Sequence, residues 1–157
     1  MQRHAVPTET PMLSELGASP TLHVLLIESD AAEADRMQAA CRALPLPVTL
    51  HLAPDGEAAL TLLRNDVRIS LVLLDQQLLG EDGLRWLREF KAHADLALRR
   101  LPVIMLSSSD TEEQIRRAYY AYASAYLIRP PDAEGLRRML ESLVTYWGQV
   151  ARLPARP

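Results

Sequence analysis

Residues 69–83, ISLVLLDQQLLGEDG, begin with an apolar run that ends at one carboxylate, Asp75. They continue into a loop rich in glutamine, glycine and acids. The run from Ile69 to Leu74 does not alternate polar and apolar residues, which is typical of a strand covered on both faces of its sheet. An unpaired buried charge is costly. Asp75 is therefore either a structural acid with satisfied partners, a helix cap, or a group placed at the strand end for chemistry.

The rest of the chain alternates between apolar strands and amphipathic helices. Strands are predicted over 21–28, 47–53, 69–75, 101–106 and 124–128. Helical patterns follow them over 30–44, 57–65, 82–94, 110–123 and 132–150. Five consecutive strand–helix units predict an α/β fold, a doubly wound parallel sheet with helices on both faces.

Composition favours one domain and excludes several classes of protein. The chain has 157 residues, 48% of them hydrophobic, and a net charge of -3, which gives no reason to expect nucleic-acid binding. Its lone cysteine, Cys41, excludes an internal disulfide and is expected to be a core thiol. No apolar run is long enough to span a membrane, and no signal-peptide layout is present, so a cytoplasmic location is expected.

Proline content and the lack of periodicity set the predicted domain boundaries. Residues 1–20 carry three prolines and are expected to form a flexible arm. The domain is predicted over 21–150, and the tail 151–157 is expected to be frayed.

Polar side chains stand at the ends of four of the five predicted strands: Glu28, Ser29 and Asp30, then Asp75, then Ser107, then Arg129. The carboxyl ends of parallel strands meet at one edge of a sheet, where α/β proteins bind their ligands. This combination fits phosphoryl transfer onto a carboxylate, with Asp75 as the nucleophile.

Each of the other groups suits a part in that chemistry. Glu28 and Asp30 together with Asp75 are candidate ligands for Mg²⁺, which prefers oxygen. The Ser107 hydroxyl is placed to donate to a phosphoryl oxygen, and the Arg129 guanidinium to pair with it.

The chain resembles the response-regulator receiver domains of two-component signalling, through four motifs: IESD, DQQLLGEDG, PVIMLSSSD and AYLIRP. The resemblance implies the flavodoxin-like receiver fold with strand order 2-1-3-4-5, phosphorylation at Asp75 and no enzyme activity of its own. It also implies a metal ligand in the backbone carbonyl of Gln77, a switch aromatic in Tyr126 and a cis peptide bond at Pro130. The expected partner is a sensor histidine kinase or a phosphotransfer protein.

A more specific resemblance comes from LVTYWGQV near the end and from the stretch HADLALRRLPVIMLSSSD. Both are similar to the stand-alone receivers paired with phytochrome-type kinases. This similarity implies a homodimer formed through the fourth helix, the fifth strand and the fifth helix.

Three departures from the family pattern leave two hypotheses open. Ser29 stands where the family has a second acid that binds the metal directly, and Arg129 replaces a lysine, so that it could pair with Asp75 at rest. In the loop after Asp75, Gln77 and Leu79 replace the common asparagine and proline, and Tyr122 also stands where the family commonly has a glycine. Asp30 could supply the missing ligand, but its spacing to Glu33 is that of a capping box. The protein is therefore either a phosphorylation-controlled switch or a pseudo-receiver that acts as a constitutive interaction module.

An unrelated doubly wound enzyme or flavin binder is a weaker third hypothesis. No predicted strand is followed by a glycine-rich phosphate loop, and the whole chain contains only 6 glycines.

Overall fold

The computed structural model describes residues 20–78 and 81–157. Its strands are β1 (Leu22–Ile27), β2 (Val48–Ala53), β3 (Ile69–Asp75), β4 (Gln77–Leu78), β5 (Glu81–Asp82), β6 (Val103–Ser107) and β7 (Ala125–Ile128). Its helices are α1 (Ala31–Arg42), α2 (Gly56–Asn65), α3 (Gly83–Lys91), α4 (Leu96–Arg99), α5 (Glu112–Tyr120) and α6 (Ala133–Thr145). A π-helical turn over Tyr146–Val150 continues α6.

The main sheet is parallel and has the strand order β2-β1-β3-β6-β7. Counting only these five long strands, the order is 2-1-3-4-5, and the predicted fold is confirmed. The register aligns the strand ends, since Ile27 lies opposite Leu74 and Asp75 lies opposite Leu106. β4 and β5 form a separate two-residue antiparallel ladder beside the end of β3.

Helices cover both faces of the sheet, as the unbroken apolar strands predicted. One face packs against α2, α3 and α5, and its core includes Leu25, Leu63 and Leu87. The other packs against α1 and α6, and its core includes Met37 and Cys41. Cys41 is buried in this core, which confirms the expected core thiol, and the burial raises the pKa of its thiol to about 11.

The last residues of the chain lie against the body, so the expectation that they fray is wrong. The Arg156 guanidinium donates to the carbonyl oxygens of Leu63 and Ile69 at 2.6 and 2.9 Å, at the end of the sheet opposite Asp75. Leu153 packs against the core formed with α1 and α6. These contacts hold the tail because a guanidinium can satisfy several backbone carbonyls at once.

The predicted arm, apart from Pro20, lies outside the described residues. Within the described part of the chain, none of the helices combines the length and the apolar character that crossing a bilayer requires.

Tyr122 ends α5 in an unfavourable backbone conformation. Among the described residues it is the only non-glycine residue with a positive φ, at 68°. Its N–H donates to the carbonyl of Tyr119, and the N–H of Ala123 donates to that of Ala118, each at 3.0 Å. This is the Schellman pattern of helix termination, in which glycine is the usual residue. The departure noted in the sequence therefore costs conformational energy.

Replacing Tyr122 by glycine is expected to stabilise the protein. Tyr122→Gly removes the left-handed strain of an exposed side chain and should raise the free energy of unfolding by about 0.5–1 kcal/mol. Tyr120→Gly, in the helix two residues earlier, should lower it by about 0.5 kcal/mol. Urea denaturation of both variants checks this, and equal losses of stability would contradict it.

Candidate functional site

An open cavity of about 530 Å³ lies at the carboxyl edge of the sheet. Its lining contains every strand-end residue that the sequence singled out. These are Glu28, Ser29, Asp30, Asp75, Ser107 and Arg129, joined by Gln77 and by the unforeseen Glu33. Four segments that are distant in sequence thus meet in one site.

Asp75 is held in place on both sides. Its Oδ1 accepts from the backbone N–H of Gln77 at 2.8 Å, and its Oδ2 accepts from Arg129 at 3.1 Å. Gly83 packs against its backbone, since a β-carbon at Gly83 would collide with the carbonyl oxygen of Asp75. The residue as a whole is 9% exposed. Asp75 therefore has satisfied partners and also faces the cavity.

The Arg129 guanidinium bridges three carboxylates. Its Nη2 donates to Glu28 Oε2 at 2.9 Å and to Asp75 Oδ2, while its Nη1 donates to Glu33 Oε2 at 3.0 Å. Its backbone N–H donates to the carbonyl of Ser107 at 2.8 Å, which fixes the end of β7 beside β6. Burial alone would lower the pKa of Arg129, but the three acids raise it, so this cation is permanent.

Glu28 is the most perturbed acid of the site. Its burial and the adjacent Asp75 carboxyl raise the pKa of Glu28 to about 7, against the opposing effect of Arg129. Its Oε1 also accepts from the N–H of Asp30 at 3.1 Å. Two carboxyl groups that share one low-dielectric site resist carrying two full charges.

Asp30, which the sequence left between metal ligand and helix cap, caps α1. Its Oδ1 accepts from the N–H groups of Ala32 and Glu33 at 2.9 and 3.3 Å. The other half of the predicted capping box is wrong. The Glu33 side chain binds Arg129 and Arg36 instead of the N–H of Asp30, because these two cations lie within its reach.

The predicted cis peptide bond at Pro130 is also wrong, because the structure contains no cis bond within the described residues. The trans form is the lower-energy state of a peptide bond to proline. With this bond trans, the long Arg129 side chain still reaches Asp75.

A second hydrogen-bond network lies behind Asp75 and was not foreseen. The Tyr126 hydroxyl donates to the carbonyl of Ser109 at 2.7 Å and lies 3.1 Å from Gln76 Oε1. The amide of Gln76 in turn donates to Gln114 on α5. Ser107 Oγ accepts from the N–H of Ser109 at 3.0 Å, so its hydroxyl proton remains available to a ligand in the cavity. Gln76 directly follows Asp75 in sequence, and this adjacency was the only signal that could have revealed it.

The donor chemistry of the cavity suits a hard divalent cation. Two carboxylates, Glu28 and Asp75, and the carbonyl of Gln77 are oxygen ligands of the kind that Mg²⁺ takes together with several waters. However, Arg129 binds both carboxylates, and Asp30 is engaged as a cap. Within residues 20–78 and 81–157, no three His, Cys, Asp or Glu side chains are arranged as a metal cluster.

Comparison with known proteins identifies the family. Residues 24–141 match the response regulator receiver domain. The chain therefore belongs to the response regulator receiver family of two-component signalling, as the sequence resemblance indicated.

Individual relatives agree with this assignment. Response regulator Rcp1 of Synechocystis sp. is 28% identical over 144 residues, which cover 88% of this chain and 97% of Rcp1. The structure of the Mn(2+)-bound form of Rcp1 matches with a TM-score of 0.73 at 28% identity, over 85% of this chain and 99% of that one. The phosphorylated cyanobacterial phytochrome response regulator RcpA matches with a TM-score of 0.76 at 28% identity, over 87% and 100%. The resemblance to phytochrome-associated receivers is thus confirmed.

Removing the Tyr126 hydroxyl is expected to weaken the link between β7 and the loop after β6. Tyr126→Phe leaves the Ser109 carbonyl without its donor and should lower the free energy of unfolding by about 1 kcal/mol. The exposed Tyr120, whose side chain is outside this network, provides the control Tyr120→Phe. Urea denaturation compares the two, and an unchanged midpoint for Tyr126→Phe would contradict the importance of this bond.

Proposed function

We propose that this receiver domain accepts a phosphoryl group on Asp75 and signals by changing which proteins it binds. The observation that carries the proposal is the convergence of the Asp75 carboxylate, the Ser107 hydroxyl and the Arg129 guanidinium in one cavity. These are a nucleophile, a neutral donor and a fixed cation, a combination that suits transfer of a phosphoryl group to a carboxylate.

In the proposed reaction, an Asp75 carboxylate oxygen attacks the phosphorus of a phosphohistidine on a sensor kinase or a phosphotransfer protein. The phosphorus–nitrogen bond breaks, the histidine ring leaves with the electron pair and takes up a proton, and an acyl phosphate forms. Ser107 donates to one phosphoryl oxygen, and Arg129 pairs with another. A divalent cation such as Mg²⁺, held by Glu28, Asp75 and the Gln77 carbonyl, would neutralise the charge on the phosphoryl oxygens.

The similarity to RcpA and Rcp1 supports a phytochrome-type kinase as the phosphoryl donor. We place the protein in the cytoplasm, where such a kinase has its ATP. The receiver itself is proposed to be a switch and not an enzyme.

A second candidate function rests on one contact. Arg129 already neutralises Asp75 in this structure, and Ser29 replaces a metal ligand of the family. An aspartate that is permanently paired need not be phosphorylated, and the domain would then be a pseudo-receiver that binds its partners constitutively.

Phosphorylation separates the two candidates. The intact mass of the protein, measured after incubation with acetyl phosphate or phosphoramidate and Mg²⁺, is expected to increase by one phosphoryl group. Asp75→Asn should show no increase, since the amide is not a nucleophile. No gain in the wild-type protein, together with no response to beryllofluoride, would instead support the pseudo-receiver.

The proposed output surface is the face formed by α5, β7 and α6, which correspond to the fourth helix, fifth strand and fifth helix of the sequence prediction. Its large side chains are unusually exposed: Tyr120 is 78%, Tyr122 76% and Ile128 43% exposed. Tyrosine is favoured in protein interfaces because it combines apolar area with a polar group. We propose that a second copy of this chain covers this surface.

Analytical ultracentrifugation tests the homodimer. Tyr120→Glu is expected to raise the dimer dissociation constant by about tenfold or more, because it places a charge in the buried interface. Val67→Glu is the matched control, since Val67 is also exposed but precedes the central strand β3, whereas Tyr120 ends the helix that precedes the edge strand β7. Equal association by both variants, or a monomeric wild-type protein, would exclude this dimer.

A further inference from the structure

Glu33 has a structural role that its sequence position did not suggest. It stands in the first turn of α1, yet its carboxylate leaves the helix and binds Arg129 through Oε2 at 3.0 Å. Its other oxygen, Oε1, accepts from Arg36 at 2.8 Å. Both oxygens of Glu33 are thus bound by cations.

Arg36 connects this pair to the turn that carries Arg129. Its second nitrogen donates to the carbonyl of Pro131 at 3.1 Å, two residues after Arg129. The chain of contacts therefore runs from Pro131 through Arg36 and Glu33 to the Arg129 guanidinium. This arrangement restrains a long side chain that would otherwise have several rotamers.

Glu33 restrains the Arg129 guanidinium, and this guanidinium is hydrogen-bonded to the carboxylate oxygens that a metal ion would bind. Arg129 Nη2 bonds to Glu28 Oε2 and Asp75 Oδ2. Since a planar guanidinium binds carboxylates in a fixed geometry, these two oxygens are committed as long as Arg129 stays in place.

We propose that Glu33 is a positioning residue that holds Arg129 across Glu28 and Asp75 as a resident cation, so that Arg129 and a divalent cation compete for the same two carboxylates. This inference concerns the cation of the proposed phosphorylation site and so rests on the proposed function. A divalent cation can then bind at the site only when Arg129, which Glu33 of α1 anchors, releases the two carboxylates.

Direct Mn²⁺ binding to the full chain, measured by calorimetry or by the EPR signal of free Mn²⁺, tests the competition without using phosphorylation. Glu33→Ala removes the anchor of Arg129 and is expected to tighten Mn²⁺ binding by about tenfold. Simple electrostatics predicts the opposite sign, because the variant loses a negative charge beside the cavity. The direction of the change in Mn²⁺ affinity therefore distinguishes competition with Arg129 from simple charge attraction.

Three further variants keep the test specific. Glu33→Gln retains an oxygen acceptor for Arg129 and should bind Mn²⁺ nearly as the wild-type protein does. Arg129→Lys conserves the charge but loses the second terminal nitrogen, through which Glu33 anchors the side chain, so it should also tighten binding. Glu57→Ala, which removes an exposed acid in the first turn of α2, controls for net charge.

Circular dichroism confirms that each variant is folded before its affinity is compared. Weaker or unchanged Mn²⁺ binding by folded Glu33→Ala would overturn the inference, as would the absence of Mn²⁺ binding in every protein. If the affinities shift as expected but Asp75 is not phosphorylated, the competition stands and the proposed function fails.

Discussion

The site depends on the neutralisation of buried carboxylates by one arginine. Glu28 directly follows β1, and Asp75 ends the neighbouring strand β3. The register of the sheet therefore places both carboxylates in the same poorly solvated space. Like charges in such a space are expensive unless a cation joins them. Arg129 supplies that cation from the far strand, and in doing so it ties β1, β3, β7 and the start of α1 together.

Asp75 lies between two networks of different character. On the cavity side its carboxylate belongs to the charged network of Arg129, which responds to any change of charge. On the other side its neighbour Gln76 belongs to a neutral network with Tyr126 and Gln114 that reaches α5 and the loop after β6. A change at the Asp75 carboxylate acts on the first network directly. The peptide backbone of residues 75–76 is the covalent path from it to the second.

The resemblance to receiver domains implied the strand order. The strand–helix pattern itself predicted that the polar strand-end residues meet, because parallel strands bring their ends together whatever their side chains do. It could not predict contacts that depend on side-chain reach. Glu33 has the spacing of a capping-box residue, but its carboxylate binds Arg129 instead of the N–H of Asp30. The trans bond at Pro130 and the docking of Arg156 were missed for another reason, since neither leaves a periodic pattern in the sequence.

The two departures at the site, Ser29 and Arg129, form one coherent change. Serine in place of an acid removes a negative charge and a ligand for a bound ion. Arginine in place of lysine adds a second terminal nitrogen, so that one nitrogen binds Glu28 and Asp75 while the other binds Glu33. Together they lower the negative charge of the site and pair its remaining carboxylates with a cation that belongs to the protein. Glu28 and Asp75 are then paired in the folded protein without a bound ion, which offsets the cost of two carboxylates in a poorly solvated space.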